Sequence, residues 1–176
     1  MEYTMSYDFN ADEVFEIAEQ IERNGVRFYR EAAENISDAS VHSLFLDLAA
    51  MEAEHEKVFA SMRADLADEE REPTVFDPEG EAALYLRALA DFQVFGKEEE
   101  ENFILSGDLI EQEKIRKILK AAIGLEKESI VFYLGMKELV PTKFGKDKID
   151  KIIKEEMGHI RFLSGLQKKL LATGVK

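Results

Sequence analysis

A chain of 176 residues with 45% hydrophobic content can bury one sizeable core, and its 37 acidic against 23 basic residues leave a net charge of −14. That balance argues against nucleic acid, whose phosphates need a positive surface, and no apolar run reaches the roughly 18 residues of a membrane span. The absence of cysteine excludes disulfides, iron–sulfur clusters and thiolate zinc sites, and the opening residues lack the basic and apolar segments of a secretory signal, so the expected location is the cytoplasm.

Residues 1–9 read as a loose N-terminal tail. Asn10-Ala11-Asp12-Glu13 has capping-box spacing, and the first helix that follows carries the stripe Phe15, Ala18, Glu22, Gly25, Tyr29, Ala32, Ile36. Glu22 is the only charge in it. Asn35-Ile36-Ser37-Asp38 supplies turn and cap residues, and a second helix from about Ser40 to Ala67 carries Phe45, Leu48, Glu52, His55, Phe59, Met62 and Leu66. Residues 68–107 differ in character: Pro73, Pro78 and Gly80 interrupt any long helix, a shorter one is expected from Glu81 to about Phe95, and Lys97–Glu101 reads as a solvated acidic run. Ser106 or Asp108 is placed to cap a third long helix with the stripe Leu119, Ala122, Glu126, Ser129, Tyr133, Met136, Val140, ended by Pro141. The fourth helix follows the Thr142–Lys146 turn with Ile149, Ile152, Glu156, His159, Leu163, Leu166 and Leu170. Two helix pairs joined by one long crossover containing a short helix describe an all-α four-helix bundle, a single domain over residues 1–176.

The two pairs are copies of each other. Glu52-Ala53-Glu54-His55 recurs 104 positions later as Glu156-Met157-Gly158-His159, Glu22 and Glu126 each lie 30 residues earlier, and Phe28-Tyr29 falls on Phe132-Tyr133. Glu22 and Glu52 are equidistant from the first predicted turn, and Glu126 and Glu156 from the second. At about 1.5 Å per residue, all four glutamates reach one level roughly 20 Å from the turns. Four bare carboxylates and two imidazoles cannot share a dry core without neutralisation. Two divalent cations would balance the four negative charges, and carboxylate with imidazole suits iron or manganese. Glu54, Glu56 and Glu155 fall on other faces and read as solvated or supporting groups rather than ligands.

Glu22-Arg23-Asn24-Gly25-Val26-Arg27-Phe28-Tyr29, Glu52-Ala53-Glu54-His55, Glu126-Lys127-Glu128-Ser129-Ile130-Val131-Phe132-Tyr133 and Glu156-Met157-Gly158-His159 resemble the ferritin-like di-iron carboxylate superfamily, in its rubrerythrin-like branch. The resemblance covers roughly residues 10–170. It implies a ferritin-like bundle in which Glu22, Glu52, His55, Glu126, Glu156 and His159 ligate two iron ions, with manganese or zinc as substitutes. Glu52 and Glu156 would bridge, and each histidine would bind one metal. Tyr29 and Tyr133, one step along the stripes, either pack in the core or hydrogen-bond a ligand carboxylate or supply an electron. Two features depart from the rubrerythrin pattern. The four-cysteine rubredoxin domain is missing, so electrons would come from a separate donor such as a rubredoxin, and the additional glutamate three residues before the third-helix ligand is replaced by Ile123.

The resulting expectation is an oxidoreductase that reduces hydrogen peroxide or dioxygen at a di-iron site, assembled as a homodimer. The alternatives are a ferroxidase serving iron storage or transfer, a manganese catalase, and a bundle acting only as an interaction module, which the charged interior stripes oppose.

Overall fold

The computed structural model describes residues 11–68, 110–139 and 146–173. They form four helices: α1 (Ala11–Glu34), α2 (Ala39–Ala64), α3 (Glu111–Leu139) and α4 (Lys146–Thr173). The expected tail, short crossover helix and acidic run lie outside the described residues, as do Ser106, Asp108 and Pro141.

Local chemistry accounts for the helix ends. The Asp38 carboxylate accepts hydrogen bonds from the backbone N–H groups of Ser40 and Val41 at 2.9 and 3.0 Å, satisfying two donors that an uncapped helix would leave open. At its other end α2 stops at Ala64, three residues short of the expected Ala67, because the Leu66 N–H turns back to the Arg63 carbonyl in a tighter turn. The α3 helix begins at Glu111, and the Ile110 carbonyl accepts from the N–H groups of Glu113 and Lys114. The Glu111 carboxylate accepts instead from Ser37 and Asp38 N–H at 2.6 and 3.2 Å, which ties the start of α3 to the α1–α2 turn.

That tie fixes the topology. α3 starts where α1 ends, so it runs antiparallel to α1 and parallel to α2, as one long connection between helix pairs requires. Arg63 closes the far end of the first pair, its Nε and Nη2 donating to the two Asp12 carboxylate oxygens at 3.0 and 2.8 Å. Lys137 and Asp150 form an ion pair between α3 and α4. None of the described helices is long and apolar enough to cross a membrane.

The stripes read from the sequence face inward, and they divide the core into two apolar layers. Phe15, Ala18, Phe59, Met62, Tyr133, Met136, Ile149 and Ile152 belong to one layer. Tyr29, Ala32, Phe45, Leu48, Ile118, Leu119, Ala122 and Leu163 belong to the other. The Phe59 ring is fully buried 5.0 Å from that of Tyr133, whereas Leu134, on the next face, is 48% exposed. Truncating Phe59 to Ala should therefore lower stability by about 3–5 kcal/mol. Leu134→Ala should change it by no more than about 0.5 kcal/mol. Urea unfolding followed by circular dichroism checks both.

Candidate metal centre

Among the described residues, six buried polar side chains lie between the two apolar layers: Glu22 from α1, Glu52 and His55 from α2, Glu126 from α3, Glu156 and His159 from α4. They are the six that the repeat singles out. The three-residue step within each Glu-x-x-His puts carboxylate and imidazole on one helix face. Antiparallel pairing of α2 with α4 then crosses the motifs, so that His55 meets Glu156 and His159 meets Glu52.

The distances divide the cluster into two equivalent halves. His55 Nδ1 lies 2.9 Å from Glu156 Oε1, 3.3 Å from Glu52 Oε2 and 3.6 Å from Glu22 Oε2. His159 Nδ1 lies 2.8 Å from Glu156 Oε2, 3.4 Å from Glu52 Oε1 and 3.5 Å from Glu126 Oε1. Glu52 and Glu156 thus divide their two oxygens between the halves, while Glu22 and Glu126 serve one half each. The two imidazole rings stack with centroids 5.9 Å apart.

Donor chemistry favours a cation in each half. Glu22, Glu52, His55 and Glu156 offer one ligand atom apiece within 4.8 Å of one another, and so do Glu52, Glu126, Glu156 and His159. Glu52 Oε1, both Glu156 oxygens and both His159 nitrogens are buried without a hydrogen-bond partner in suitable geometry, despite the short approaches. Such orphaned groups are costly unless something else satisfies them. Oxygen and nitrogen donors gathered at this spacing satisfy a shared divalent ion better than they satisfy each other.

The rubrerythrin family model matches residues 13–113. The chain belongs to the rubrerythrin family. Its fold is also that of a Thermotoga maritima protein whose crystal structure carries the provisional description of a ferritin-like diiron-carboxylate protein. That protein is 26% identical to this chain, with a TM-score of 0.69, over 92% of this chain and 97% of the other. No curated protein matches at a significant level. The bundle is therefore ferritin-like, and its buried Glu and His cluster is compatible with two iron ions.

Within this rubrerythrin-family centre, position 123 is apolar: Ile123 packs against the second hydrophobic layer. Glu128 is not among the converging donors. Tyr29 and Tyr133 take reciprocal places. The Tyr29 hydroxyl on α1 donates to Glu126 on α3, and the Tyr133 hydroxyl on α3 donates to Glu22 on α1. Of the roles open to them in the sequence, hydrogen-bonding a carboxylate is thus realised together with core packing. Burial and the facing carboxylates raise both phenol pKa values, so the hydroxyls stay protonated as donors.

Two contributors escape a reading by stripes alone. Glu155 stands one residue before Glu156 on a partly exposed face, yet its Oε2 lies 2.9 Å from His55 Nε2 across the α2–α4 interface. Gly25 faces the site from α1: a Cβ there would meet Glu52 Cγ at 3.1 Å, so the missing side chain is room for the Glu52 carboxylate arm. Its place in the apolar stripe was the available signal. By contrast Glu54 and Glu56 are surface groups, paired with Lys57 and Arg23.

Left to themselves, the six groups share protons. Burial, then the charges of Glu52 and Glu156, holds Glu22 well above the usual carboxyl range, and burial lifts Glu126 to about 8. Burial opposes the charged form of Glu156 as well, but His159 and His55 outweigh it and bring this carboxyl down to about 2. Glu52 is lowered against burial by the same two histidines. Burial opposes charge on the histidines too, yet Glu126, Glu156 and Glu52 push His159 up to about 12, and Glu156, Glu22 and Glu52 push His55 higher. The layer thus favours the charged form of His55, His159, Glu52 and Glu156 and the neutral form of Glu22 and Glu126.

The sign of the pH dependence follows. The unfolded chain releases the protons of Glu22 and Glu126 above its ordinary carboxyl pKa of 4.5 and those of His55 and His159 above 6.5, while the folded chain keeps them. Stability of the metal-free protein thus falls as pH climbs through neutrality. The contribution of Glu52 and Glu156 has the opposite sense, present above 4.5 and lost as pH falls below it. Two divalent ions should displace protons from His55, His159, Glu22 and Glu126 on binding near pH 7. Calorimetric titration in buffers of different ionisation enthalpy measures that release. Gly25→Ala should crowd Glu52 and weaken metal binding by about tenfold, read by competition with a chelator, with little loss of helix content.

Proposed function

We propose that this chain is a di-iron carboxylate oxidoreductase that reduces hydrogen peroxide or dioxygen, with Glu22, Glu52, His55, Glu126, Glu156 and His159 as the metal ligands. The observation that carries the reading is the division of Glu52 and Glu156 oxygens between two otherwise separate ligand sets. Bridging carboxylates of that kind hold two ions together, and a paired iron centre supplies two electrons to one oxidant molecule.

The chain's own residues set the conditions for that chemistry. The apolar layers above and below exclude bulk water and strengthen every charge interaction within the layer. Glu22 and Glu126 are each steadied by one tyrosine hydroxyl, which keeps a proton at the phenol oxygen beside the centre. Small oxidants have an approach on the α2–α4 side, where a groove of about 540 Å³ reaches His55 and one of about 690 Å³ reaches His159.

With no cysteine of its own, the chain needs electrons from outside, and a separate donor such as a rubredoxin belongs to this reading. So do a homodimeric assembly and a cytoplasmic setting. Ile123 favours a second reading, a ferroxidase serving iron storage or transfer, because the centre lacks a further carboxylate there.

Stopped-flow oxidation of the anaerobically Fe(II)-loaded protein, with equal concentrations of hydrogen peroxide and dioxygen, separates the two. Oxidation at least about a hundredfold faster with peroxide is expected. Equal rates with continued consumption of excess iron would replace this reading with the ferroxidase. Glu126→Ala should lose tight binding of at least one metal, and a variant retaining two tightly bound ions contradicts the ligand assignment.

A further inference from the structure

The two halves of the centre correspond ligand for ligand, each with one imidazole, one private carboxylate and a share of Glu52 and Glu156. They differ in what holds the outer nitrogen of the imidazole. His55 Nε2 lies 2.9 Å from Glu155 Oε2, whose other oxygen is 3.7 Å from Lys151 Nζ. With Nε2 held as an outward donor, it is the Nδ1 proton that a metal would displace, leaving the Nδ1 lone pair facing the carboxylate cluster. The 104-residue repeat places Met51 where Glu155 stands and Asp47 where Lys151 stands. A thioether is only a weak acceptor. In keeping with that, His159 Nε2 is buried without a hydrogen-bond partner.

Taking the metal reading above as its basis, we propose that the two ion positions are inequivalent: Glu155 makes the position at His55 the tight, first-filled one and leaves the position at His159 weaker and exchangeable. A carboxylate on the outer nitrogen fixes the tautomer and ring orientation and raises the basicity of the ligating nitrogen. Loss of such a partner typically costs 10–100-fold in metal affinity. Because the inner ligands match, this outer contact decides the order. Glu155 is a positioning residue: it acts on the metal only through His55. The weaker position also borders a groove of about 690 Å³ whose walls include Leu48, Met51, Phe162 and Leu166, larger than the one of about 540 Å³ that reaches His55.

The test uses the full chain, stripped of metal, labelled with ¹⁵N and titrated with Zn(II), which has no redox chemistry to complicate the reading. The chain has three histidines, and His42, with Nδ1 2.9 Å from the Ala33 carbonyl on the α1–α2 side, serves as an internal control. At one Zn(II) per chain the His55 ring signals should be in the bound form and those of His159 still free, with the second ion binding at least about tenfold more weakly. Glu155→Met should abolish that order and weaken the first step about 10–100-fold, Glu155→Asp should restore it in part, and Met51→Glu should tighten the second step. Simultaneous filling of both positions in the unaltered chain, filling of His159 first, or an order unchanged by Glu155→Met would overturn the inequivalence while leaving a two-metal centre. Failure to bind Zn(II) at all would overturn the metal reading itself.

Discussion

Four glutamates and two histidines closed between apolar layers set the terms for the rest of this molecule. Moving an unpaired carboxylate out of water costs several kcal/mol, and placing four together multiplies the cost through mutual repulsion. The protein can hold such a layer only if protons or cations balance it. Sharing protons among the six groups is one compensation, which titrates, and the donor geometry points to a second compensation by metal. Every nearby feature makes more sense in that light: the tyrosine hydroxyls on Glu22 and Glu126, the space left by Gly25, and Glu155 behind His55.

Duplication and antiparallel packing together generate the site's symmetry. A single helix pair carries one private glutamate and one Glu-x-x-His, which cannot enclose two ions. Pairing two copies head to tail makes His55 face Glu156 and His159 face Glu52, and it makes Tyr29 and Tyr133 exchange partners across α1 and α3. Two copies therefore do more than double one copy's polar groups, because Glu52 and Glu156 each meet both histidines only where the copies face one another. The departures from symmetry are correspondingly informative, and one that touches the site is Glu155 against Met51.

Much of this was legible in the sequence, for physical reasons that differ between levels. Helical stripes such as Phe45, Leu48, Glu52, His55, Phe59 are periodic, and burial follows periodicity closely. The common level of the glutamates follows from helix rise and equal distance to the turns. What crosses between helices was not legible, since period and spacing carry no rotation angle: the hydroxyl partners of the tyrosines and the reach of Glu155 across α2–α4 depend on how far each helix turns toward its neighbour. Helix ends were read within a few residues: α2 stops at Ala64 rather than Ala67, where the Leu66 N–H turns back to the Arg63 carbonyl. Position 123 illustrates the reverse case: Ile123 is apolar in sequence, and in the structure it packs against the second hydrophobic layer.

We read the polar layer as a seat for two metal ions held through shared carboxylates. Crystals of the Fe(II)-loaded protein, measured on both sides of the iron absorption edge, test it most directly. Two anomalous peaks are expected inside the bundle, one adjoining His55 Nδ1 and one adjoining His159 Nδ1, with Glu52 and Glu156 in contact with both. A featureless anomalous map in that layer, with the histidines still bonded to the glutamates, would contradict it.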